Sequence, residues 1–220
     1  LVDRTGPEVF TNNELSDSAV FGLNSDLVLT GDVEDFGYGM NNGAAIPFNN
    51  GVVVRVFPEG DTTAGSKVLT EWGTVDTSSD TYEVTISAGA LADGSYDIKL
   101  VAYDKFGNVT ILSYEGVVID STAPVITILD DVEEGPIMVD TFSFEVTDAN
   151  NDASLSGYAL SADETCDETD VYTLNATSYV ESSEAHNGYY LCARAEDVVG
   201  NISFAVSANP LNVDATIPSV

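Results

Sequence analysis

Apolar residues along the chain fall mostly in short runs of four to ten, and many of these runs alternate with polar positions. In "TYEVTI" (81–86), "DIKLVAY" (97–103) and "FSFEVT" (142–147), side chains two apart share one character, as a half-buried strand requires. Runs carrying a 3.6-residue stripe of good helix formers are hard to find. The pattern predicts strands near 7–10, 26–31, 51–57, 67–71, 81–86, 95–103 and 109–119. A second set follows near 124–129, 139–147, 155–160, 171–174, 177–181, 188–195 and 202–213. About seven short strands per hundred residues, with turn residues between them, is the signature of an all-β sandwich.

The two sets are related, because three phrases recur in the same order. "DGSYDIKL" (93–100) pairs with "HNGYYLCA" (186–193), and "AYDKFGNVT" (102–110) pairs with "AEDVVGNIS" (195–203). An Asp-x-Thr-x-Pro phrase opens the chain as "LVDRTGP" (1–7), divides it as "VIDSTAP" (118–124) and returns as "NVDATIP" (212–218). Such self-similarity predicts two repeats: a first unit over 1–119, a second over 120–214, and in 215–220 the start of a following module or a tail. The first repeat is the longer. Its extra length lies mid-unit, in "FGYGMNNGAAIPFNNG" (36–51) and around "EGDTTAGSKVLTEWG" (59–73), and loop insertions cost little. Starting and stopping inside the repeated phrase is expected of a segment or mature form. No signal peptide or transit sequence is visible.

"VIDSTAPVI", together with "DGSYDIKLVAYDKFGN" upstream, resembles the tandem Ig-like domains of bacterial and archaeal surface proteins. That group includes the extender repeats of large adhesins and S-layer or cell-wall proteins. The resemblance covers essentially the whole chain. It implies two tandem immunoglobulin-like β-sandwiches in an extracellular, cell-surface protein, working as a non-enzymatic structural segment. Its implied partners are neighbouring Ig-like domains of the same protein.

Charge narrows the partners further. Lys and Arg total 6 against 37 Asp and Glu, a net charge of −31. Nucleic acid phosphates and anionic lipid head groups are repelled by such a surface, and no apolar run is long enough for membrane insertion. What remains is a solvated acidic surface, the binding of divalent cations, or both.

An Ig-like sandwich brings its N-terminus, BC loop and FG turn to one end. In the second unit this pole would carry Asp120 from the linker, Asp148, Asn150 and Asp152 from "DANND", and Asp197 from the Asp-x-x-Gly-Asn turn. Alternate Asp-x-Asn-x-Asp side chains are suited to Ca²⁺, which accepts six to eight oxygens in irregular geometry. An EF-hand is excluded, because Ala159 stands where its closing Glu would be. The first unit offers Asp3, Asp32, Glu34, Asp35 and Asp104 in matching places. The competing reading gives these aspartates local work, capping tight turns in which Gly107 or Gly200 takes a positive φ. Ca²⁺ is therefore the expected cofactor, stiffening the joints.

Cys166 and Cys192 form an isolated pair. In an extracellular chain they read as one disulfide, worth roughly 3 kcal/mol; in a reducing compartment they would be two buried thiols. The tyrosine two residues before Cys192 matches an antibody F strand, yet residues 139–147 hold no cysteine, so an antibody-type B–F bridge is excluded. Matching the repeats on Gly94 and Gly188, or on Asp104 and Asp197, differs by one residue and places Cys192 on opposite faces.

Hydrolytic chemistry has little support. The lone His186 beside Asn187-Gly188 reads as a turn residue, and neither a Gly-x-Ser-x-Gly elbow nor a phosphate-cradling loop is present. Two rivals to a passive spacer remain. One is a glycan-binding module using Trp72 and Tyr38, with Phe36 and Phe48 nearby; the other is homotypic assembly of copies through strand edges. Asn-x-Ser/Thr sequons begin at Asn108, Asn175 and Asn201, two of them inside the Gly-Asn turn phrase.

Overall fold

The structure is a computed structural model that describes residues 4–36, 51–61 and 63–216. Internal contacts divide the chain into Leu1–Ser121 and Thr122–Val220.

The described strands of the first unit are β1 (Val9–Phe10), β2 (Val20–Phe21), β3 (Leu27–Glu34), β4 (Val52–Pro58), β5 (Leu69–Trp72), β6 (Thr74–Asp76), β7 (Thr81–Ile86), β8 (Gly94–Tyr103) and β9 (Val109–Ile119). They form two sheets, ordered β1-β3-β7-β6 and β2-β9-β8-β4-β5. Alternation in the sequence decides what each strand buries. Leu29 and Val33 of β3, with Tyr82, Val84 and Ile86 of β7, meet Val52, Val54 and Val56 of β4 and Ile98, Leu100 and Ala102 of β8. This shared core makes the unit a sandwich.

In the second unit the strands are β10 (Val125–Asp130), β11 (Asp140–Thr147), β12 (Gly157–Ser161), β13 (Thr173–Leu174), β14 (Ser178–Glu181), β15 (Tyr190–Glu196) and β16 (Ile202–Val206). Their sheets are β10-β11-β14 and β13-β12-β15-β16. Phe142 and Phe144 of β11 pack against Leu191 and Ala193 of β15, with Val132 and Leu211 closing the ends. The core is smaller, in keeping with the shorter repeat.

The pattern missed β2 and β6, each too short to show a period. It also carried the last strand too far: β16 stops at Val206, and Ser207 then donates its side-chain hydroxyl to the carbonyl of Asn209. Downstream, Val213 rejoins the unit by a parallel bridge to Ile137. In the first unit β2 makes the equivalent parallel pairing, Val20 with Val118 and Phe21 with Ile119.

The facing of Cys192 follows from the core. Ile98, Leu100 and Ala102 point inward on β8; Leu191 and Ala193 do so on β15. The Asp104/Asp197 match is therefore the one that holds along the strand. Cys192 takes the outward place of Lys99, and the one-residue slip falls ahead of β15.

Candidate metal centre

The site is built on the turn that follows β15. Asp197 Oδ1 accepts the backbone N–H groups of Val199 and Asn201, each at 2.9 Å, and Oδ2 accepts Asn201 Nδ2 at 2.6 Å. Gly200 closes the turn at φ +90°, a conformation costly for any residue with a Cβ. The first unit repeats this arrangement. Asp104 Oδ1 accepts from Phe106 and Asn108, each at 2.8 Å, Oδ2 accepts Asn108 Nδ2 at 2.6 Å, and Gly107 sits at φ +85°. The local role foreseen for these aspartates is therefore real in both units, and Asp104 and Asp197 are fully buried.

In the second unit the loop after β11 is stitched to this turn. Val198 N–H donates to the Asn150 carbonyl at 2.9 Å, Asp152 N–H donates to the Glu196 carbonyl at 3.2 Å, and Asn151 bridges Asp197. Within the loop, Asp148 Oδ1 accepts Asn150 N–H at 2.6 Å. Asp120 follows β9, where its N–H donates to the Phe21 carbonyl at 2.9 Å, and only 5% of the residue is exposed. Asp120, Asp148 and Asp197 each bring one carboxylate oxygen within 4.8 Å of the others.

Two further sequence candidates, Asp152 and Asn150, make local bonds in this loop. Asp152 caps a short 3₁₀ turn over Ala153–Leu155, accepting both Ser154 N–H and Ser154 Oγ–H; these bonds lower its pKa. Asn150 contributes through its backbone. Its neighbour Asn151, which the alternating spacing passed over, has a buried Oδ1 with no hydrogen-bond partner.

Three carboxylates about 5 Å apart repel by roughly 3 kcal/mol per pair at an effective dielectric near 20. Asp120, Asp148 and Asp197 together form an all-oxygen donor set, the kind that hard divalent cations take.

The first unit assembles less among the described residues. Asp32 lies within β3, exposed and paired in register with Thr81. Glu34 ends that strand opposite Val9. Asp35 is the first residue past β3, as Asp148 is the first past β11, and it is buried at 6% exposure. The structural counterpart of Asp148 is thus Asp35, three residues beyond the position that chain spacing indicated. Asp3 lies outside the described residues, and no group of three metal-ligating side chains forms among the described residues of this unit.

Cys166 and Cys192 are disulfide-bonded, with Cα atoms 5.6 Å apart. Trp72 ends β5 and packs against Tyr103 at 6.0 Å between ring centroids, while Arg55 holds the Tyr103 hydroxyl at 2.6 Å. Tyr38 and Phe48 lie outside the described residues, and Phe36 is exposed. His186 sits in a 3₁₀ turn with Nδ1 against Glu181. Glu181 is buried, and it also accepts from Ser182, Ser183 and Tyr179. Burial alone pushes its carboxyl up; the bonds from His186, Ser183 and Tyr179 outweigh that and hold it at about 2.

A family model described as "Bacterial Ig-like domain (group 3)" matches residues 80–213. Among solved structures, fibronectin(III)-like modules of Clostridium thermocellum CbhA are 12% identical, with TM-score 0.44, covering 96% of this chain and 97% of theirs. A solved chain from a study of a 1.5-MDa bacterial ice-binding adhesin is 14% identical, with TM-score 0.39, the match covering 91% of this chain and 63% of that solved chain. A tetra-tandem repeat from the extending region of a large adhesion protein is 21% identical, with TM-score 0.33, covering 92% and 48%. No curated protein matches the chain.

Proposed function

Because the chain belongs to the bacterial Ig-like domain family (group 3), we propose that it is a non-enzymatic structural segment of a cell-surface protein, stiffened by Ca²⁺ where the chain passes from one unit to the next. Asp120, Asp148 and Asp197 would hold the ion, with Asn151 Oδ1 as a fourth oxygen. The observation that carries this reading is the approach of three carboxylates to within 4.8 Å of one another, two of them almost fully buried. Left without a cation, that arrangement is self-repelling.

Asp120 stands just ahead of the division at Ser121–Thr122. An ion shared by Asp120, the loop after β11 and the turn after β15 would hold these three segments together. The non-enzymatic part of the reading is supported by polar side chains that are engaged in their own turns. His186 and Glu181, for example, satisfy each other and their own turn.

Thermal melting with Ca²⁺, with Mg²⁺ and with excess chelator tests the proposal, alongside measurement of bound metal. The expected result is a higher melting temperature of the second unit in Ca²⁺, reversed by chelator, with a smaller response to Mg²⁺. An unchanged melting temperature together with no retained ion would overturn it.

A further inference from the structure

The three Asn-x-Ser/Thr sequons are chemically equivalent in sequence and very different in the fold. Asn108 gives its amide nitrogen to Asp104, and Asn201 gives its amide nitrogen to Asp197, each at 2.6 Å. Asn201 is also buried, and its amide reaches the Thr122 carbonyl at 3.4 Å. A sugar on either nitrogen would take one of its two N–H positions and crowd the bond that closes the Asp-x-x-Gly-Asn turn. Asn175 is exposed at the tip of the turn between β13 and β14, and it adopts a left-handed conformation with φ +58°. Its backbone N–H is anchored to the Ser156 carbonyl at 2.7 Å, which fixes the turn and leaves the side chain in solvent. Thr177, the third residue of the sequon, is exposed as well.

The position has a second property. β13 and β14 are the outer strands of the two sheets of the second unit, and Asn175 lies in the turn between them. Exposed apolar side chains flank it on each edge: Leu174 is 44% exposed and Val180 is 60% exposed. Open edges with apolar side chains invite pairing with another chain. In the first unit the corresponding edge of β7 is covered by β6.

We propose that Asn175 is an N-glycosylation site, and that its glycan shields the two open edges that the second unit has no strand to cover. The donor class is a lipid-pyrophosphate-linked oligosaccharide. The Asn175 Nδ2 forms a bond to the anomeric carbon of the first sugar and loses one proton. The anomeric carbon–oxygen bond to pyrophosphate breaks, and the lipid pyrophosphate leaves with the electron pair.

The test uses the purified, folded 220-residue chain, an oligosaccharyltransferase that accepts Asn-x-Ser/Thr, and its lipid-linked donor. Intact mass and peptide mapping read the product, and a peptide spanning residues 170–182 runs in parallel. One glycan per chain, located at Asn175, is expected. It should be lost in Asn175→Gln and also in Thr177→Ala, which keeps the left-handed asparagine. No addition to the folded chain, whether or not the peptide is modified, would overturn the proposal. So would comparable occupancy of Asn108 or Asn201.

Discussion

The turns after β8 and β15 are built alike: an aspartate accepts two backbone N–H groups and an asparagine amide, and a glycine closes the loop with positive φ. Only the second gathers further carboxylates among the described residues. The turn is thus a frame that either unit can make. Which carboxylates gather around it depends on what the preceding loop and the linker bring to it. In the second unit the loop "DANND" starts immediately after β11, so that Asp148 and Asn151 arrive beside Asp197. In the first, β3 runs through Asp32 and Glu34, which become strand residues, and only Asp35 reaches the matching place.

Several measurements can break or sharpen this contrast. The largest effect is expected from reduction of the disulfide. Cutting a link across a separation of 26 residues should cost the second unit about 3 kcal/mol. The first unit, which has no cysteine, should keep its denaturation midpoint. Next come Asp104→Ala and Asp197→Ala. Each strands two backbone donors in a buried turn and should destabilise its own unit by about 2 kcal/mol in chelator. In Ca²⁺ the two should diverge: Asp197→Ala abolishes the metal-dependent rise in melting temperature, and Asp104→Ala leaves it in place. Equal loss of the Ca²⁺ response in both variants would remove the distinction between the units.

The smallest effect is a pH dependence of the second unit. The folded pKa of Glu181 is about 2, against an ordinary 4.5. Its contribution to stability is present above 4.5 and is lost as pH falls towards 2. Glu181→Gln should flatten that part of the acid denaturation curve. Asp140, opposite Glu181 in register, acts with the other sign, since burial raises its pKa.

Much of the architecture was legible because strands two residues in period write themselves into the sequence. The repeat was legible because Asp-x-x-Gly-Asn has one good geometry. What could not be read were interactions set by a residue's place past the end of a strand. Chain spacing paired Asp32 with Asp148, whereas the strand ends pair Asp35 with it. β2 and β6 escaped because two or three residues carry no period; they are strands only because β9 and β7 offer them an edge. The facing of Cys192 was open in the sequence and was decided by which residues of β15 the core required.

The cross-link has a consequence for a chain under tension. Were the second unit pulled apart from its ends, the stretch between Cys166 and Cys192 could not pay out. At up to ~3.5 Å per residue, that withholds about 90 Å of contour length. The unit would pay out only the residues outside that loop and stop short by the withheld length, held by a covalent bond on the outer face of the sheet, while the first unit, which has no cysteine, would unravel fully.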